Sequence, residues 1–378
     1  MKNNLALYVH IPFCKQKCSY CSFVSFPAGK QMIENYVDAL TSEIELTSKL
    51  YSGKTVDTIF LGGGTPSYLP DGSVKRIMKA IRKNYKLSLS PEITIEINPD
   101  SATRTKLVEY KHAGINRLSI GFQTANDKVL SVVNRTHTKA DFLKVVNLAK
   151  KLDFKNISAD LMLGLPTQTL CDVKKAIKLL TDLKIQHISA YDLILEEHTP
   201  LYRKVKEGKI KLVSENLTLK MQNCVVKTLQ KSGFCRYEVS NYAKVGFESK
   251  HNLKYWNLED YLGLGLAAHS KIGNKRFANT ENLIRYIDNI KNNELSYATE
   301  ETLTLEDIKE EFIMLGLRKT EGITLDDYKK LAGENLVEAR HKSIEAMLIK
   351  GLIAFEDGRL YATKKGFNFL NYIIKELV

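Results

Sequence analysis

Between residues 5 and 192 six short apolar runs alternate with five amphipathic stretches of helical period, and that alternation constrains the fold more than any other feature of the 378-residue chain. The runs cover residues 5–11, 56–61, 92–97, 117–121, 157–162 and 187–192; the helical stretches between them cover 31–50, 72–84, 104–113, 139–151 and 171–183. In the first run Leu7, Val9 and Ile11 share one face and Tyr8 and His10 the other, as in a strand with one packed face and one left for function. Strands alternating with helices argue for a parallel α/β sheet with right-handed crossovers. Periodicity alone does not choose between a doubly wound sheet and a curved barrel.

Cys14, Cys18 and Cys21 follow the first strand at the spacing C-x3-C-x2-C. A four-iron, four-sulfur (4Fe-4S) cluster takes four thiolates in a ferredoxin, so three on one loop would leave one iron without a protein ligand. The competing reading is a structural zinc knuckle with His10 as fourth ligand, which places that ligand on the strand itself and lacks a second nearby cysteine pair. Residues 62–66, Gly-Gly-Gly-Thr-Pro, close the second strand and allow a ligand to lie against bare N–H groups. Polar side chains recur at later strand ends: Glu96, Gln123, Arg135 in the loop beyond, and Asp160. An acid inside an apolar strand costs several kcal/mol unless it is bonded, so Asp160 needs a partner, with ribose hydroxyls and a neighbouring basic group as candidates.

The cysteine trio, with Tyr20 before its last member, resembles the radical S-adenosylmethionine (SAM) superfamily. The surrounding HIPFCKQKCSYCSF resembles its oxygen-independent coproporphyrinogen III oxidases and their heme-chaperone relatives. The resemblance covers residues 5 to about 200 and implies a partial, six-unit (β/α) TIM-type barrel. It further implies that the open iron chelates SAM and that one electron splits the sulfonium to a 5'-deoxyadenosyl radical. Tyr8, Tyr20, Gly63, Gly64, Thr65, Glu96, Gln123, Arg135 and Asp160 then stand at SAM-contacting positions.

Beyond residue 192 the pattern changes. Residues 197–232 are basic and helical in character, 236–243 read as a strand, and 250–256 (KHNLKYW) resemble the HN-x2-YW signature of the heme-chaperone (HemW) branch. His251 is the candidate axial heme ligand, walled by Tyr255 and Trp256, and His269 is the second. The competing reading is a loop in which His251 and Asn252 bond backbone groups. Residues 291–301 read as a linker. The tail reads as helices over 305–317, 325–332 and 336–350, a hairpin over 352–363 turning at Asp357-Gly358, and a last helix, together a winged-helix-like module. The expected division is 1–200 barrel, 201–300 connector with the heme-related region, and 301–378 C-terminal domain.

Three features favour the chaperone over the oxidases: Phe23 stands where the oxidases carry a fourth cysteine, only one strand precedes Cys14, and HN-x2-YW is present. The expected function is a chaperone that binds a 4Fe-4S cluster, SAM and heme and passes heme to acceptor proteins. The alternative is coproporphyrinogen oxidation in porphyrin biosynthesis. The resemblance implies an electron donor for the cluster, and a homodimer is left open. The net charge of +13 suits acidic partners or a solvated lysine-rich surface, but mixed charges on the third tail helix give no expectation of nucleic-acid binding. No apolar run approaches the roughly 20 residues of a membrane span. Cys171, Cys224 and Cys235 form no disulfide framework and residues 1–13 no leader, so the expected location is the cytoplasm.

Overall fold

The computed structural model describes residues 3–295 and 297–378. Six parallel strands lie side by side in chain order: β1 (Asn4–Ile11), β2 (Thr55–Gly63), β3 (Lys86–Ile97), β4 (Arg117–Gln123), β5 (Asn156–Leu163) and β6 (His187–Asp192). They are joined through α1 (Lys30–Leu50), α2 (Ser73–Asn84), α3 (Arg104–His112), the short α4 (Asp127–Val132) with α5 (Lys139–Lys151), and α6 (Leu170–Asp182). This is the partial α/β barrel.

Helices α3 to α6 start where their sequence caps them, whereas α1 and α2 begin after Gly29 and Gly72 without a side-chain cap. Thr138 with Asp141, and Thr169 with Asp172, form reciprocal capping boxes that satisfy otherwise orphaned N–H groups. In α1, Ile33, Tyr36, Val37, Leu40 and Ile44 form one buried stripe. The Tyr36 hydroxyl donates to the His10 carbonyl at 2.6 Å and accepts from Leu266 N–H at 3.0 Å, which pins the end of β1.

After β6 the chain forms α7 (Pro200–Lys206) and α8 (Glu215–Lys231), separated by a turn in which Gly208 has φ +71°. It then adds β7 (Cys235–Arg236) and β8 (Asn241–Ala243) beyond β6. Helix α9 (Lys250–Trp256) leads to β9 (Tyr261–Leu264), which returns to the opposite edge beside β1. There β10 (His269–Ile272), β11 (Lys275–Asn279), α10 (Leu283–Lys291) and β12 (Tyr297–Thr302) follow, and the sheet reaches 12 strands. Strands β7 to β12 thus extend the barrel's sheet, and side chains from α8 and α10 join its hydrophobic core.

The C-terminal part packs α11 (Leu305–Gly316), β13 (Ile323–Thr324), α12 (Leu325–Ala332), α13 (Leu336–Ala339), α14 (His341–Ile349), β14 (Ile353–Glu356), β15 (Arg359–Ala362) and α15 (Leu370–Leu377) around a second core. Two expectations change. Residues 336–350 are not one helix: the chain breaks at Arg340, whose guanidinium is drawn to the Leu377 and Val378 carbonyls. Most of the expected linker 291–301 is also structured, because the backbone of β12 pairs with β11 although its side chains stay largely exposed. The hairpin turns at Asp357-Gly358, both with positive φ. Among the described residues no helix is long and apolar enough to cross a membrane.

Candidate functional site

On the inward face of β1 the Tyr8 hydroxyl meets His10 Nδ1 at 3.1 Å, and His10 Nε2 meets the Val24 carbonyl at 2.9 Å. A carbonyl only accepts, so Nε2 carries the proton and Nδ1 accepts from Tyr8. Burial pushes the imidazole pKa down and keeps it neutral. Both nitrogens of His10 are thus committed, and the zinc-knuckle reading loses its fourth ligand. The ring also dictates its neighbour on β2. A Cβ on Gly63 would meet His10 at 2.5 Å, and φ there is +111°.

The cysteine loop closes over this end of the barrel. Cys14 is buried, Cys18 and Cys21 are half-buried, and all three are free thiols. Thr65 Oγ1 donates to Cys14 Sγ at 3.3 Å and Arg135 Nη1 to Cys18 Sγ at 3.4 Å. The Tyr20 hydroxyl is a further partner of Cys18. A Cβ on Gly64 would reach Cys14 Sγ at 3.0 Å, so glycine lets the strand end approach the sulfur. Burial raises the Cys14 and Cys21 thiol pKa values, so loading a metal here must expel protons. Among the described residues no three His, Cys, Asp or Glu side chains are gathered tightly enough for a single ion. Three soft sulfurs on one loop, two with hydrogen-bond donors on them, fit a cluster that offers each thiolate its own iron.

Further round the barrel, Glu96 Oε2 accepts from Gly63 N–H at 3.1 Å, and Asp160 Oδ1 accepts from Ser119 Oγ at 3.3 Å. Burial, then the charge of Asp160, pushes the Glu96 carboxyl up to about 8. Burial lifts Asp160 to about 6 against the opposing charge of Arg117. Gln123 ends β4 at φ +64°, after a register shift at Gly121. A Cβ on Gly121 would meet Arg135 Nη2 at 2.7 Å and Gln123 Nε2 at 3.0 Å. The structure thus brings Tyr8, Tyr20, Gly63, Gly64, Thr65, Glu96, Gln123, Arg135 and Asp160 to one end of the barrel with the three cysteines. The N–H groups of Gly63, Gly64 and Thr65 are taken by Glu96 and by the Ile11 and Phe13 carbonyls, so it is the two half-buried acids that can bind hydroxyls or a cation.

Sequence reasoning missed several members. Asn98 Oδ1 accepts from Arg135 Nη2 at 2.8 Å; it follows Glu96 by two residues in the same segment, which was a usable signal. Arg117 is buried inside the barrel near Asp160. Nothing in the sequence separated it from a surface charge at a strand start.

His251, the sequence's candidate axial ligand, lies apart from the cysteine loop. It is 1% exposed, its Nδ1 meets Thr58 Oγ1 at 2.9 Å and its Nε2 meets the Tyr255 hydroxyl at 2.9 Å. Burial, then Arg117 and Lys254, pushes its pKa down to about 3. Both ring nitrogens are engaged by hydroxyls in this fold. The segment is a helix, not a loop: the Glu92 carboxylate accepts the N–H groups of Lys250 and His251 at 3.1 and 3.0 Å, and Lys254 pairs with Asp57 and Glu259 at 2.6 Å each. His269 lies exposed at the start of β10.

Two family models match the chain: the radical SAM superfamily over residues 8–180 and the HemN C-terminal domain over residues 303–369. Heme chaperone HemW of Bacillus subtilis is 36% identical over 95% of this chain and 95% of its own length. HemW of Buchnera aphidicola subsp. Schizaphis graminum is 37% identical over 98% and 97%. The mitochondrial radical S-adenosyl methionine domain-containing protein 1 of Danio rerio is 32% identical over 99% and 86%. Among solved structures, Escherichia coli coproporphyrinogen III oxidase (HemN), a radical SAM enzyme, superposes with a TM-score of 0.87 at 25% identity, covering all of this chain and 90% of that one. Together with the cysteine loop and the six-unit barrel, these matches give the conclusion that the chain belongs to the radical SAM superfamily and, within it, to the family of heme chaperone HemW.

Proposed function

We propose that this protein is a heme chaperone that carries a 4Fe-4S cluster on Cys14, Cys18 and Cys21, binds SAM beside it, and hands heme to acceptor proteins. The observation that carries the cluster and SAM parts is the convergence of three free thiols with Thr65, Glu96, Arg135 and Asp160 at one barrel end. Cluster and SAM together would supply one-electron cleavage of a sulfonium. The chain's own part is to hold and orient: Gly63 and Gly64 let the end of β2 close on His10 and Cys14, and Glu96 and Asp160 offer carboxylate oxygens to hydroxyls. The heme part rests on the full-length relationship to proteins named heme chaperones. With His251 committed to the barrel floor, the exposed His269 becomes the candidate imidazole of the same region.

The test is anaerobic reconstitution followed by iron and sulfide analysis, SAM binding and hemin titration. Near-stoichiometric cluster and a Soret band that shifts in His269→Ala are expected; zinc in place of iron, or a wild type blind to hemin, sinks the reading. The likeness to HemN favours a second reading, coproporphyrinogen oxidation. Phe23 speaks against it, and multiple turnovers of coproporphyrinogen III with SAM and reductant would promote it.

A further inference from the structure

Two of the three cluster sulfurs face side chains held on them by contacts of their own. Thr65 Oγ1 lies 3.3 Å from Cys14 Sγ, and its backbone is fixed by a bond from Thr65 N–H to the Phe13 carbonyl at 2.9 Å. Arg135 Nη1 lies 3.4 Å from Cys18 Sγ, while Nη2 is clamped by Asn98 Oδ1 at 2.8 Å and the Gly121 carbonyl at 3.2 Å. The bonded partners of this guanidinium are an amide oxygen, a backbone carbonyl and a thiol, none of them a carboxylate. Its Nε is buried and has no hydrogen-bond partner among the described residues. A half-buried cation so held, its Nε shut off from solvent, acts on the nearest sulfur largely through protein and not water.

We propose that Thr65 and Arg135, the latter positioned by Asn98, raise the reduction potential of the cluster by donating hydrogen bonds to the sulfurs of Cys14 and Cys18. The proposal rests on the cluster reading and assigns these residues a role separable from contact with SAM. The physical basis is simple. Reduction adds one electron whose charge spreads onto the ligand sulfurs, so a donor aimed at sulfur stabilises the reduced form more than the oxidised one. A positive guanidinium adds a Coulombic contribution of the same sign. Asn98 touches no sulfur; it acts by holding Arg135.

The test is a dithionite titration of the anaerobically reconstituted full chain without SAM, followed by the electron paramagnetic resonance of the reduced cluster. Thr65→Val keeps the shape and removes the donor; Arg135→Gln removes the charge; Arg135→Lys restores it without the fork; Asn98→Ala frees the guanidinium. At the wild-type midpoint, Thr65→Val and Arg135→Gln are each expected to lower the reduced-to-oxidised ratio about tenfold, about 59 mV for a one-electron couple. Arg135→Lys should recover part of the loss and Asn98→Ala show a smaller one. Midpoints equal to the wild type with iron and sulfide intact overturn the proposal, whether or not SAM affinity falls. Loss of the cluster from all four variants, with the wild type loaded, also overturns it, because the residues would then only support the loop. A wild type that takes up no iron and sulfide fails at the cluster reading itself and takes the proposal with it.

Discussion

A methyl group on Gly63 has nowhere to go. His10, the atom group it would strike at 2.5 Å, is held at both nitrogens by Tyr8 and Val24, and the backbone at φ +111° is strained for any L-residue. Gly63→Ala is therefore expected to cost about 2–4 kcal/mol, the sum of backbone strain and overpacking. Denaturant unfolding of the reduced, metal-free chain measures it, and a loss under about 0.5 kcal/mol would mean that His10 gives way. At this scale the sequence was informative wherever a residue sits in a short motif: the cysteines, the glycines, Thr65 and the acids all reach one barrel end. It was silent on Arg117 and Ser119, whose roles arise from their nearness to Asp160, roughly 40 residues further along the chain. It could not place the nitrogens of His251, because an imidazole between aromatic residues looks the same whether they face a ligand or a threonine.

Helix α9 works as a plug, and that changes what its signature residues should do. His251 ties Thr58 on β2 to Tyr255, and its ring packs on Phe60 with centroids 5.2 Å apart, with Tyr8 next to Phe60 at 6.2 Å. His251→Ala removes one partner from each of two hydroxyls. It is expected to destabilise the chain by about 2–5 kcal/mol while leaving the Soret band of bound hemin in place. Hemin titration and thermal unfolding of the same sample separate the two effects; a shifted Soret band with unchanged stability would return His251 to the heme. The elements up to residue 192 were legible because each parallel strand is an apolar run followed by a helix of clear period. The later antiparallel strands span two to six residues, and β12 is exposed on both faces, so no period marks them. The broken helix at residue 340 depends on a contact with the chain's last two residues, which local pattern cannot contain.

The whole molecule carries two opposed sets of buried titratable groups, and their balance fixes how its stability responds to pH. Burial lowers the pKa values of His10, His137, His187 and His251, with His137 at about 4 and His251 at about 3. The unfolded chain takes up protons on these imidazoles below about pH 6.5 and the folded chain does not, so stability falls as pH drops through that value. Asp160, Glu43 and Glu238, whose carboxyls burial raises, oppose this acid limb in part, since the folded form holds their protons longer. Glu96 acts on the other side. Its carboxyl keeps its proton to about 8 in the fold against 4.5 as the reference, so stability falls as pH rises toward 8. The metal-free, reduced protein is expected to be most stable near neutral pH. Glu96→Gln, which still offers Gly63 N–H an acceptor, should remove that fall between about pH 4.5 and 8, flattening the limb above neutrality and steepening the acid limb that the carboxyl had opposed. Thermal unfolding from pH 5 to 9 decides it: an alkaline limb in Glu96→Gln that runs parallel to the wild type's would mean that the Glu96 carboxylate is solvated in the fold, and the barrel end would then be open to water.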